Sequence, residues 1–185
     1  MRIGYIVGSL SATSMNRQLA DALGTLIPES CEFVEVEIGH LPLYNRDADA
    51  DYPQVALDFK EKVASLDAVI FVTPEYSRSI PAALKNGLEW GARPWGTSVW
   101  AGKPAAVIGR SPGGPGTAMA QQHLRNILAH LDMPAMGQPE AFIQYHEGAI
   151  AEDGTIESDE LRSILEGFMG SFLAFAGLNE DEAAA

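Results

Sequence analysis

Cysteine is almost absent: Cys31 is the only one in 185 residues. No disulfide framework and no multi-cysteine metal site can form within the chain, which fits a reducing cytoplasm, although an extracellular protein without disulfides would look the same. Long hydrophobic runs are missing too. Lys, Arg, Asp, Glu or Pro interrupts every candidate before the ~20 apolar residues of a membrane helix are reached. The opening Met1 to Gly8 is too short and too soon broken for a secretory signal, and no cleavage pattern follows it. Basic residues are scarce, with 12 Lys and Arg against 25 Asp and Glu and a formal net charge of -13 at pH 7. Such a chain repels phosphate backbones and anionic membranes, so neither nucleic acid nor a membrane is an expected partner. A small anion held by backbone N–H groups stays open, because that needs no net positive charge. Apolar residues make up 46% and charged residues 20%, which is ordinary globular usage. The length suits one domain, expected over residues 1–178, with an acidic tail over 179–185.

Three segments share one grammar: an apolar run, a loop of small residues, then a helix-like stretch. The first is Arg2 to Gly8, the loop Ser9 to Asn16, and a helix to about Ile27. The second is Asp67 to Thr73, the loop Pro74-Glu75-Tyr76-Ser77-Arg78-Ser79, and a helix from Pro81 to Trp90. The third is Pro104 to Gly109, the loop Arg110 to Gly116, and a helix from Thr117 to His130. Unbroken apolar runs mark strands covered on both faces, as in parallel sheets. Cys31 to Ile38 alternates instead and reads as a strand near a sheet edge. Val55, Leu57, Phe59, Val63 and Leu66 supply the stripe of an intervening helix. A last strand fits Ala141-Phe142-Ile143. A closing helix from Ser158 to Ala176 presents Leu161, Ile164, Leu165, Phe168, Phe172 and Phe175, with Ser158 as its cap. The reading is an α/β doubly wound, five-stranded parallel sheet in the order 2-1-3-4-5. That order reverses between strands 1 and 3, and ligands bind at the strand ends there. The three loops meet at that point.

Each loop suggests chemistry. Ser9, Ser11, Thr13, Ser14 and Asn16, with Met15 among them, gather more hydroxyl and amide groups than a helix cap needs, and they suit a single phosphate. The loop lacks the Gly-Lys-Ser/Thr end of a P-loop and the G-x-G-x-x-G of a dinucleotide site. Tyr76 either covers a planar ring or packs on its neighbours. For Glu75 a surface or backbone-capping role is favoured over that of a general base. Gly109-Arg110-Ser111-Pro112-Gly113 matches G-x-S-x-G, but Pro112 has no N–H for an oxyanion hole, so a serine hydrolase is disfavoured. Gly113, Gly114 and Gly116 suggest a backbone that approaches something flat and close. The four histidines lack zinc spacing and read as structural or solvent-facing. Trp90, Trp95 and Trp100 either close the core or form an apolar patch for a partner subunit, the second being preferred.

Taken in order, Gly8-Ser9-Leu10 with Ser14 and Asn16-Arg17, Leu41-Pro42-Leu43-Tyr44-Asn45, Pro74-Glu75-Tyr76, Ser79-Ile80-Pro81, Leu84-Lys85-Asn86, Trp90, Gly102-Lys103-Pro104, Ser111 with Gly113, and Gln122-His123-Leu124-Arg125 resemble the NADPH-dependent FMN reductase family. Its members include chromate and quinone reductases and azoreductase-like flavoenzymes. The resemblance spans about Arg2 to Ile143. It implies a flavodoxin-like fold, non-covalent FMN, NAD(P)H as reductant, and homodimers or homotetramers. By motif, Ser9, Ser11, Ser14 and Asn16 would hold the FMN phosphate. Pro74, Glu75, Tyr76 and Ser77 would line the isoalloxazine ring, and Ser111 with Gly113 would close its far edge. Hydride would pass by a ping-pong route through the flavin to a quinone, free flavin, azo dye or metal oxyanion, with the cofactor carrying the chemistry and no protein acid or base required. The competing expectation is an FMN-binding electron carrier or redox sensor.

Some positions depart from the family pattern. Ser11 stands where arginine is frequent, with Arg17 a substitute if it folds back. Ser77 replaces the usual asparagine. Arg78 at the rim would attract an anionic substrate or the NADPH 2′-phosphate, or else is a solvated loop arginine. Met119 replaces an arginine associated with a tetramer contact.

Overall fold

The computed structural model of the protein describes residues 1–178. The expected acidic tail, 179–185, lies outside the described residues. The elements in chain order are β1 (Arg2–Val7), α1 (Met15–Gly24), β2 (Glu32–Glu35), α2 (Gln54–Ala64), β3 (Ala68–Val72), α3 (Ala82–Ala92), β4 (Ala105–Ser111), α4 (Ala118–His130), β5 (Ala141–Gln144) and α5 (Asp159–Phe175). A 3₁₀ turn at Arg46–Ala50, not anticipated from the sequence, opens with Asn45 Oδ1 accepting from Asp47 N. The strands form one sheet in the order β2-β1-β3-β4-β5, and every pairing is parallel. This is the expected flavodoxin-like order.

The unbroken apolar runs behave as parallel strands should. In β3, Ala68, Ile70 and Val72 join the core under α1 and α5, while Val69 and Phe71 join the core shared with α2, α3 and α4. Side chains alternate between faces, so both faces must be apolar when both are covered. Each large side chain buried in this way contributes roughly 1.5–3 kcal/mol. The edges differ. Only Glu32–Glu35 of the alternating 31–38 segment pairs as β2, and β5 alternates buried and exposed.

Two helical stripes are rotated from expectation. On α2 the buried residues are Ala56, Phe59 and Val63, and Leu57 is exposed. On α5, Met169 and Leu173 turn inward with Leu161, Leu165, Phe168 and Phe172, and Ile164 and Phe175 face out. The helix start matches the reading: Ser158 Oγ accepts from Leu161 N, and Asp159 and Glu160 occupy the first turn, where they complement the helix dipole.

Candidate functional site

Because β1, β3 and β4 are neighbours, the loops after them converge at the carboxyl ends of these strands. They enclose a cavity of about 310 Å³, whose lining includes Ser9, Ser11, Ser14, Met15, Asn16, Pro74, Glu75, Tyr76 and Ser111. Thr13, Arg110 and Pro112 complete it. Of the residues expected in the site, Ser77 and Gly113 are not part of this lining.

The first loop is braced by its own hydroxyls. Ser9 Oγ accepts from Ser11 N, and Ser11 Oγ accepts from Thr13 N. Ser14 is the N-cap of α1 and accepts from Arg17 N. The first amides of a helix have no intrahelical acceptor. With that of Arg17 taken, those of Met15 and Asn16 remain, and both residues line the cavity. Asn16 itself is differently used. Its side chain is buried, with Nδ2 donating to Arg110 O and Oδ1 accepting from Arg110 N, each at 2.9 Å. The amide that resembled a phosphate ligand joins α1 to β4 and leaves only its backbone N–H for an anion. Arg17, the expected substitute for a loop arginine, pairs with Glu35 at 2.5 Å. Burial opposes its charge, but the hydrogen bond and charge of Glu35 outweigh that and raise its pKa.

The second loop is a tight hairpin. Tyr76 and Ser79 exchange both backbone hydrogen bonds, at 2.9 and 3.0 Å. Between them Ser77 (φ 51°) and Arg78 (φ 65°) are both left-handed, the signature of a type I′ turn. Left-handed backbone costs a non-glycine residue roughly 1–2 kcal/mol, so the hairpin is held by contacts around it. One is Ser79 Oγ, 2.6 Å from His123 Nδ1 on α4. The other is Glu75, whose Oε2 accepts from Met119 N and Ala120 N, both at 3.1 Å. Thr117, the N-cap residue of α4, makes no side-chain cap bond, and Glu75 supplies the cap from another loop. The backbone-capping reading of Glu75 is the one observed. Tyr76 is left 52% exposed at the rim.

The third loop begins later than expected, since β4 runs on through Arg110 and Ser111. Ser111 Oγ accepts from Gly113 N at 3.2 Å, and Ser111 is not among the residues of positive φ. It is an extended strand residue rather than a strained nucleophile elbow. Gly109 lets the loops close. A Cβ there would lie 2.1 Å from Thr73 O and 2.3 Å from Thr117 Oγ1.

Arg110 was not anticipated. It is 1% exposed. Its Nη2 donates to His146 O at 2.9 Å, and its Cζ sits 4.5 Å from the ring centroid of Tyr145. Nε and Nη1 are buried with no partner. Burial lowers its pKa, with Tyr145 acting weakly against that. A signal existed in the sequence: Arg110 follows Ala106 and Ile108 at the period of a strand, and both point into the core.

The three tryptophans do not form one patch. Trp90 and Trp100 are buried core residues; Trp90 Nε1 donates to Pro42 O and Trp100 Nε1 to Leu88 O. Trp95 alone is a surface residue, 83% exposed. Among the described residues no group of three His, Cys, Asp or Glu side chains could hold a metal, and no helix is long and apolar enough to cross a membrane.

A cavity with free helix-start amides, serine hydroxyls and a buried cation suits a phosphate, and an aromatic rim beside it suits a flat ring. The residues present therefore fit FMN. The comparisons agree. The family model described as NADPH-dependent FMN reductase matches residues 1–148. A 2-hydroxy-1,4-benzoquinone reductase of a Burkholderia species is 49% identical over 175 residues, covering 95% of this chain and 96% of the relative. A quinone reductase of Pseudomonas putida is 43% identical, covering 96% and 95%. Among solved structures, FerB of Paracoccus denitrificans, a flavoenzyme NAD(P)H:(acceptor) oxidoreductase, superposes with a TM-score of 0.91 at 42% identity, covering 95% of this chain and 96% of its own. On this evidence the chain belongs to the NADPH-dependent FMN reductase family.

Proposed function

We propose that the protein is an NAD(P)H-dependent flavin oxidoreductase that holds FMN at the junction of its three loops and reduces a small acceptor, a quinone foremost. The observation that carries this is the convergence of the Ser9–Asn16 loop, the 74–79 hairpin and the end of β4 on one cavity, in a chain 49% identical to a benzoquinone reductase. Bound FMN would supply the two-electron chemistry. The protein's part is to hold and orient. Ser9, Ser11 and Ser14 with the amides of Met15 and Asn16 receive the phosphate. Pro74, Glu75 and Tyr76 would present backbone and the Tyr76 ring to the isoalloxazine, with Ser77 in the turn beyond them, and Ser111, whose Oγ accepts from Gly113 N, would bound its other edge. Glu75 is engaged with α4, so it serves the site by fixing the hairpin rather than by moving a proton. NAD(P)H and the acceptor take turns on one open face, which makes the kinetics ping-pong.

The finer reading is a cytoplasmic homo-oligomer. Trp95 and Leu43 are 83% and 86% exposed, and Trp95 borders a groove of about 670 Å³ together with Leu88, Ala92, Ile127 and Leu131. Large apolar side chains left in water favour a second copy of the chain as their cover.

The test is direct. The purified protein is expected to be yellow, or to become so with FMN. It should bleach with NADPH or NADH under anaerobic conditions and recover its colour when benzoquinone is added. Protein that stays flavin-free in excess FMN refutes the proposal; flavin that binds but is not reduced by either nicotinamide favours an electron carrier.

A further inference from the structure

Arg110 poses a problem that the fold alone does not resolve. A guanidinium carries five N–H donors, and a buried charge is costly unless paired. Here Nε and Nη1 are buried without an acceptor, and among the described residues no carboxylate lies within salt-bridge distance of the group. The core on that face of β4 would accept an aliphatic side chain, as it does at Ala106 and Ile108. An arginine in that row therefore calls for a negative partner that the chain does not contain.

Its location indicates which. Arg110 lines the same cavity as Ser9, Ser11 and Ser14. Its backbone is held by Asn16 against the first turn of α1, which keeps this stretch of β4 beside the helix start where an anion would sit. Tyr145 and the His146 carbonyl fix the guanidinium from the other side. The first loop offers only neutral groups, because Ser9, Ser11, Thr13 and Ser14 carry no charge and Arg17 is paired with Glu35. Those neutral donors can hydrogen-bond an anion but bring no formal positive charge to offset it.

We propose that Arg110 is the positive charge that this site sets against the phosphate of its flavin, and that it makes the protein prefer FMN to riboflavin. The inference rests on the flavin reading above and adds the residue that determines cofactor choice. The charge reaches the site from the strand behind the loop instead of from the loop itself.

The experiment titrates flavin-free wild type, Arg110→Met and Arg110→Lys with FMN and with riboflavin, which has the same ring and ribityl chain but no phosphate. Wild type is expected to bind FMN more tightly. In Arg110→Met the ratio of FMN to riboflavin affinity falls about tenfold or more, the scale of a hydrogen bond to a charged group, while riboflavin affinity holds. Arg110→Lys retains part of the ratio, because the charge remains and the planar fork is lost. An unchanged ratio in Arg110→Met, or an equal loss for both flavins, overturns the inference, since a purely structural arginine would not separate the two ligands. Should Arg110→Met fail to fold, Arg110→Lys decides: its ratio must drop below that of the wild type, and an unchanged ratio overturns the inference. A wild type that binds neither flavin is a different result and overturns the flavin reading itself.

Discussion

Asn16 grips the backbone of Arg110 at both ends, its carboxamide giving one hydrogen bond and taking another across 94 residues of chain. Both groups are buried, so removing the amide strands a buried N–H and a buried C=O. Each stranded group costs about 1–3 kcal/mol. Asn16→Ala should therefore unfold at clearly lower urea concentration. Asn16→Asp, nearly isosteric but unable to donate to Arg110 O, should also be destabilised near neutral pH. Wild-type midpoints for both variants would contradict the assignment.

Glu75 is expected to act on stability through α4. Glu75→Ala should cost about 0.5–2 kcal/mol, the range for loss of a helix cap. Glu75→Gln should cost less, because an amide oxygen still accepts from Met119 N and Ala120 N but no longer brings a negative charge to the helix start. Hydrogen exchange at those two amides is the local measurement, and both should exchange faster in Glu75→Ala.

Two glycines, one near the end of β4 and one in the loop after it, should behave oppositely. Gly109→Ala places a Cβ against the Thr73 carbonyl and the Thr117 hydroxyl, and the first of these cannot yield without backbone movement. Overpacking of this kind costs about 1–3 kcal/mol or more. Gly114 has nothing within 4 Å of its would-be Cβ and no positive φ, so Gly114→Ala should melt close to the wild type. Equal melting temperatures for the two variants would count against the close approach of the loops.

The hairpin turn should gain from the residues its geometry favours. Replacing Ser77-Arg78 by Asn-Gly matches the type I′ preference, with glycine relieving the left-handed position 78 and asparagine tolerating the one at 77. A gain of about 1 kcal/mol is expected, net of the extra freedom that glycine gives the unfolded chain. Thermal melts of flavin-free protein read it, and a lower melting temperature would show that the Arg78 side chain contributes more than its backbone strain costs.

Trp95 provides the test of self-association. Trp95→Ser removes a large exposed apolar surface and should raise the dissociation constant of the oligomer in sedimentation experiments. A wild type that sediments as a monomer at all concentrations would remove the basis for the oligomer.

Much of this arrangement could be read in the amino-acid order, for identifiable reasons. The run Ala68–Val72 has no polar residue to place in water, so both its faces had to be covered, and the parallel order followed. Strand ends and loop composition then located the cavity. Side-chain partners were harder. Asn16 looks the same in sequence whether it meets a ligand or a strand ninety-four residues away, and only folding brings Arg110 beside it. The stripe on α2 is hard to read from sequence because leucine outweighs alanine in any hydrophobic count, whereas the structure buries Ala56, Phe59 and Val63 and leaves Leu57 exposed. Three tryptophans within eleven positions resembled one patch, although the cap of α3 and the turn after it send two of them inward and one out.

The bond from Glu75 to the start of α4 has an engineering consequence. Loops around an open cleft are usually treated as exchangeable parts, retuned independently to alter what a scaffold accepts. Here a graft over the 74–79 segment must keep an acid at its second position, or the first turn of a helix forty-four residues downstream loses its closure. Libraries that randomise this segment should therefore be enriched in well-folded clones wherever the carboxylate survives, whatever the selection was meant to reward.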